Sequence, residues 1–186
     1  MRRLAHVVLW TLVLASFGQT ESASVAAARA VLVRTFGERA KSVRLMELPS
    51  GGNPTYEFEA KRGVLTVRGN APTAMCRGVY DYLKQKHLGF VAWGGTRIAW
   101  PKRLPDARRT RVVSPFRYLQ NYNVVTFGYT TAFWDWPQWQ RELDWMAVHG
   151  FNMALAMHGA EAIWDRVWKQ MGFDQAEIDS DRKSVV

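Results

Sequence analysis

The stretch "FRYLQNYNVVTFGYTTAFWDWPQWQRELDWMAVHGFNMALAMHGAEAIWDRVWKQMG" (residues 116–172) decides the fold. Its first piece, Phe116–Asn121, reads as a strand. A long aromatic connection follows, then a helix from Trp136 to His149 that Gly150 ends. "FNMALAM" (Phe151–Met157) reads as a second strand, "HGAE" as a turn, and Ala162–Gly172 as a second helix. This β-α-β-α order is the mark of a parallel sheet with crossover helices. A parallel sheet needs cover on both faces, and two such units leave most of it open. The chain therefore reads as stopping inside its second domain, with "SDRKSVV" as a tail of no periodic role.

Working outward, residues 24–100 read as a small α+β domain. A helix is expected over Ser24–Ala40, with Ser24 as its N-cap and Gly37 near its end. "SVRLMELP" reads as a strand and "SGGNP" (Ser50–Pro54) as a turn. "TYEFEA" (Thr55–Ala60) and "VLTVRG" (Val64–Gly69) form a hairpin across a short Gly-containing loop. Asn70–Gly89 carries the next helix, with Gly89 at its C′ site. "FVAWGGTRIAW" offers one or two short strands. The basic, Pro-interrupted run 101–115 marks the boundary as a linker, and 116–186 holds the first units of the second domain. The fold class expected is thus α/β, a small α+β domain followed by an incomplete parallel barrel.

The chain is 48% hydrophobic and 22% charged, a balance that folds. Residues 1–23 read as a secretory signal: Arg2 and Arg3, an apolar run from Leu4 to Gly18, then small residues. A secreted or periplasmic protein is expected, with no membrane attachment once the signal is removed. A single cysteine, Cys76, forms no internal disulfide and reads as a buried small hydrophobe. The net charge of +9 raises a nucleic-acid reading. Its densest run, "PKRLPDARRTR" (Pro101–Arg111), lacks interleaved aromatics and any nucleic-acid motif, so it reads as solvated and no nucleic-acid partner is expected.

The helix over 136–149 is well specified. Asp135 suits the N-cap, Pro137 the first turn, and Gln138 completes a capping box. Trp136, Trp139, Leu143 and Met146 share one face, expected to pack on the sheet. Glu142 and Asp144 lie two apart and do not face one another. The connection Asn121–Trp134 is about 14 residues long, against the roughly 2–6 usual for a βα loop. It follows a strand's carboxyl end, the side where parallel-barrel sites form. Asn123 and Tyr129 place an amide and a phenol there, groups suited to a hydroxyl-rich ligand, although Asn123 equally suits loop capping. His158 and Glu161 sit at the carboxyl end of the second strand, as acid–base partners or metal ligands. No third ligand accompanies them, and Glu161 also fits the first turn of a helix. No metal, cofactor, Gly-rich phosphate loop, GxSxG, HExxH or CxxC pattern is expected from this sequence.

Residues 117–168, with the block "WDWPQWQRELDWMAVHGFNMALA" and "EAIW", resemble the alpha-N-acetylglucosaminidase family, glycoside hydrolase family 89. "VLTVRGNAPTAMCRGVYDYLKQ" and "FVAWGG" are similar to that family's small N-terminal domain. The resemblance implies a (β/α)8 TIM barrel and an enzyme removing terminal α-linked N-acetylglucosamine from glycans. It implies retention of configuration by two glutamates that stand about 5–5.5 Å apart, and no cofactor. Those glutamates fall beyond residue 186; none of Glu142, Glu161 or Glu177 matches them. No catalytic residue is therefore assigned here. Asn123 and Tyr129 match positions that contact the terminal sugar, and His158 and Glu161 complete the substrate-binding set. Val125 stands where some members have cysteine, and Ala160 where some have a polar residue. The resulting expectation is part of an exported glycosidase that is inactive by itself. The alternatives are a non-catalytic carbohydrate-binding module, or a basic module acting through Lys102, Arg103, Arg108, Arg109 and Arg111. The oligomeric state is not legible.

Overall fold

The computed structural model describes residues 21–184, except 124 and 156–159. The signal segment thus lies almost wholly outside the described residues, as does His158. Helix α1 (Ala23–Phe36) is capped by Ser22, whose side chain accepts from the Val25 amide, and it ends at Gly37. The cap is two residues earlier than expected at Ser24, because Ser22 is the residue in extended conformation. Lys41 and its neighbours form a 3₁₀ turn over Glu38–Ser42 rather than further α-helix.

The expected hairpin is present as β2 (Thr55–Lys61) and β3 (Val64–Gly69). Its turn residues, Arg62 and Gly63, both have positive φ, as a twisted two-residue hairpin requires. Strand β1 (Arg44–Glu47) joins β3 in parallel. Helix α2 (Pro72–Gln85) and α1 cover one face of the sheet. Leu32, Phe58, Leu65, Val67, Val79 and Leu83 fill the space between them. Cys76 is fully buried there, and burial pushes its thiol up to about 12. It acts as the small hydrophobe expected of it. After α2, His87 takes the left-handed position expected of Gly89. Gly89 instead opens β4 (Gly89–Ala92), which pairs with β5 (Gly95–Ile98).

The run read as a linker, 101–115, contains a strand. Residues Ala107–Val113 form β6, which pairs antiparallel with β2 and gives the sheet order β1-β3-β2-β6. The physical reason is charge pairing on the sheet's outer face. Glu57 of β2 is 3% exposed, and it accepts hydrogen bonds from both Arg109 and Arg111 of β6. A buried carboxylate requires such partners, so part of the basic run balances an internal charge. The two arginines hold the Glu57 carboxyl below the usual carboxylate range, Arg109 first, against the opposing effect of burial. A depressed folded pKa gives stability that is present above the unfolded value of about 4.3 and is lost as pH falls through the folded one. Acid unfolding of the wild type should therefore include a Glu57 contribution on the order of 1 kcal/mol, since both arginines are largely solvated. Glu57→Gln should flatten the stability profile below pH 4.5; an unchanged profile between pH 5 and 3 would remove this role.

The second half begins with β7 (Gln120–Asn121), helix α3 (Trp136–His149), β8 (Met153–Ala154) and helix α4 (Ala160–Gln170). Strands β7 and β8 pair in parallel, so the β-α-β-α order holds. Both are shorter than the sequence suggests. Phe116 and Tyr118 are exposed outside the ladder, and Tyr122 leaves extended geometry with φ 77°. The capping box at Asp135 and Gln138 is formed as expected. A further helix, α5 (Gln175–Ser184), occupies the stretch read as a featureless tail. Asp174 and Glu177 cap it reciprocally, a D-x-x-E signal that marks its start.

The buried face of α3 agrees with the expected one at Met146 and departs from it at Trp136 and Leu143. Glu142, Asp144, Met146 and Val148 are buried, while Trp136 is 65% exposed and Leu143 is exposed. The helix is covered from two sides. Asp144 and Val148 meet the N-terminal helices: Arg34 of α1 grips Asp144 with two 2.7 Å hydrogen bonds, and Val148 sits inside the α1–α2 core. Arg77 of α2 donates to the His149 carbonyl at 2.8 Å, satisfying an end group of α3.

Candidate functional site

The connection from β7 to α3 is built by its own polar groups. Asn123 Oδ1 accepts from the backbone N–H of Val125 and of Thr126 and from the Thr126 hydroxyl, at 3.0–3.1 Å. Because backbone N–H groups only donate, these bonds fix which end of the amide is oxygen. The carbonyl is thus consumed by the loop, on an exposed residue. The loop-capping reading of Asn123 therefore holds at Oδ1. A 3₁₀ turn over Thr126–Gly128 follows, and buried Thr131 donates to the Thr126 carbonyl. Tyr129, 80% exposed, presents its phenol on the same loop. Phe133 is also almost fully exposed.

The loop is anchored from below by aromatic rings. Tyr122 meets Trp139 edge-on at 5.9 Å, Trp139 meets Trp134 at 5.4 Å, and Trp134 stacks on Trp93 at 6.4 Å. Trp93 lies at the turn of the β4–β5 hairpin, in the N-terminal half. Its indole N–H donates to Glu142 Oε2 at 2.7 Å. The amide nitrogen of Asn121 lies 3.5 Å from the other carboxylate oxygen. Burial, and next the nearby Glu142 carboxylate, push the Tyr122 phenol well above its ordinary pKa. Glu142 is 5% exposed, with its carboxylate engaged by Trp93 and Asn121.

A cleft of about 860 Å³ lies between the β4–β5 turn, α1 and α3, with Arg34, Trp93, Trp134, Arg141 and Glu142 in its walls. Neither Asn123 nor Tyr129 lines it, so the polar groups that fit a sugar are not in this cleft. The structure therefore brings Asn123 and Tyr129 onto one loop. Glu161 lies in the first turn of α4; its side chain and His158 lie outside the described residues. Sequence reasoning missed the support beneath the loop, Trp93, Tyr122 and Glu142. The signal that could have found it was a lone glutamate on an otherwise aromatic helix face. Among the described residues no group of three or more His, Cys, Asp or Glu side chains converges, and no helix is long and apolar enough to cross a membrane.

Two family models match this chain. Residues 26–106 match the alpha-N-acetylglucosaminidase (NAGLU) N-terminal domain, and residues 117–181 match the tim-barrel domain of the same enzyme family. Human alpha-N-acetylglucosaminidase is 36% identical over 165 residues, covering 85% of this chain. The chain spans only 22% of that protein's length. A family 89 glycoside hydrolase from Clostridium perfringens, solved with PUGNAc, superposes with a TM-score of 0.78 at 24% identity. The match covers 83% of this chain and 18% of that one. A variant of the C. perfringens enzyme, solved with its substrate GlcNAc-alpha-1,4-galactose, gives 0.77. At this identity the superposition establishes the fold: a small N-terminal domain followed by the opening units of a (β/α)8 barrel, β7 and β8 being strands of that barrel. With both halves matching consecutive domains of one enzyme, the chain belongs to the alpha-N-acetylglucosaminidase family.

Proposed function

We propose that this chain supplies one wall of the sugar pocket of an exported, retaining glycosidase that removes terminal α-linked N-acetylglucosamine. The observation that carries the reading is Asn123, an exposed residue whose carbonyl is locked by three loop donors, with the exposed Tyr129 phenol on the same loop. A preorganised side chain costs little entropy on binding, and a phenol adds both a ring face and a hydroxyl. The named substrate of the C. perfringens relative, an α-linked N-acetylglucosamine, supports the choice of sugar.

Retaining chemistry needs two carboxyl groups about 5–5.5 Å apart on either side of the glycosidic bond. Glu142 is buried beneath the loop, and Glu177 caps α5. Neither meets that requirement, so the chain by itself binds and does not hydrolyse. The test is titration of the 186-residue chain with N-acetylglucosamine, alongside an assay on an aryl α-N-acetylglucosaminide. Saturable binding is expected, weakened about tenfold by Asn123→Ala through loss of one hydrogen bond and of loop order. Hydrolysis by this chain would overturn the assignment of the catalytic groups elsewhere. Absence of binding would remove the pocket reading.

A further inference from the structure

We propose that Glu142 is a positioning residue for the sugar loop, coupling the N-terminal β4–β5 hairpin to the base of the loop that carries Asn123 through Trp93 and Asn121. This deepens the sugar-pocket reading and rests on it for the role of Asn123.

The coupling runs by two routes that meet at the same place. One is polar: Trp93 donates to one Glu142 oxygen at 2.7 Å, and the Asn121 amide, in the strand that leads into the loop, reaches the other at 3.5 Å. The other is the ring series Trp93–Trp134–Trp139–Tyr122. The first ends on Asn121 and the second on Tyr122, the two residues directly before Asn123. Tyr122 holds φ at 77°, a conformation that bulky residues avoid unless their surroundings impose it. The grip on its side chain is such a constraint. A buried carboxylate is unfavourable without partners, and here the protein provides donors from the hairpin and from the loop base. A glutamate suits this point because it offers two acceptor oxygens to groups arriving from different sides. Releasing Tyr122 would let the backbone relax toward negative φ and swing the Asn123 amide away from its present direction.

Three variants of the 186-residue chain test this: Trp93→Phe, Glu142→Gln and Asn121→Ala. The last removes only the amide that reaches Glu142, so it remains informative should either other variant fail to fold. Two readouts are compared, the amide resonances of Val125 and Thr126, which report the bonds to Asn123, and the affinity for N-acetylglucosamine. The expected result is displaced Val125 and Thr126 amides with sugar affinity about tenfold weaker, while core amides such as Val67 and Leu83 stay in place. Loop amides at wild-type positions in all three variants would overturn the proposal. Displaced amides with unchanged sugar affinity would also overturn it, since the loop position would not serve sugar contact. Displaced amides in a protein whose wild type binds no sugar would uphold the coupling and reject the pocket reading instead.

Discussion

Gly89→Ala is expected to destabilise the protein by about 3 kcal/mol. Gly89 has φ 142°, a region that residues with a Cβ rarely enter. An added methyl would stand 2.0 Å from the Arg97 carbonyl oxygen and 2.8 Å from the Ile98 Cα. These are backbone atoms of the partner strand, so no side chain can turn aside to relieve the collision. The alternative is for the β4–β5 hairpin to detach. Detachment would expose Val91 and break its two backbone bonds to the Tyr80 hydroxyl, which donates to the Val91 carbonyl and accepts from its N–H. It would also withdraw Trp93 from Glu142. The check is a denaturant midpoint together with the Trp93 indole N–H resonance. A stability loss under 1 kcal/mol would show that the hairpin shifts freely and does not anchor the loop.

Asp144→Ala is the second large effect, expected to cost about 2 kcal/mol. Asp144 is buried, and its two oxygens receive the Arg34 guanidinium in a bidentate pair, the strong geometry for such contacts. Removing it leaves Arg34 without its main partner. The cost stays moderate because the Arg34 side chain is 41% exposed and can be rehydrated. Asp144→Asn, which keeps the shape, should cost about half as much. Because the pair joins α1 to α3, hydrogen exchange should rise on both helices together. Faster exchange confined to α3 would mean that Val148 and Arg77, and not this pair, hold the two halves.

The periodic parts of this fold were legible in the sequence. The hairpin over 55–69, the helix 136–149 and its capping box follow from alternation, a 3.6-residue period and local cap chemistry. What was not legible depends on partners distant in the chain. The β6 strand reads as a basic linker until Glu57, some 50 residues earlier, is seen to require its arginines. The aromatic face of α3 reads as sheet-facing, yet tertiary packing buries two carboxylates instead, each against a donor from the N-terminal half. The helix over 175–184 was different: its capping box was visible, and its weak apolar pattern hid it. At the candidate site, the sequence alone puts Asn123 and Tyr129 on one loop, but the bonds that take up the Asn123 carbonyl depend on how that loop folds back on Val125 and Thr126.

Val148 belongs to the α1–α2 core although it lies some 35 residues beyond the edge strand β6. That placement sets an order of events during synthesis. The four-stranded sheet can assemble once β6 has left the ribosome, but the hydrophobic space above it stays unsealed until the end of α3 emerges. The first barrel helix of this chain therefore serves as the lid of the preceding domain, so the N-terminal domain is expected to complete its core only together with the start of the barrel.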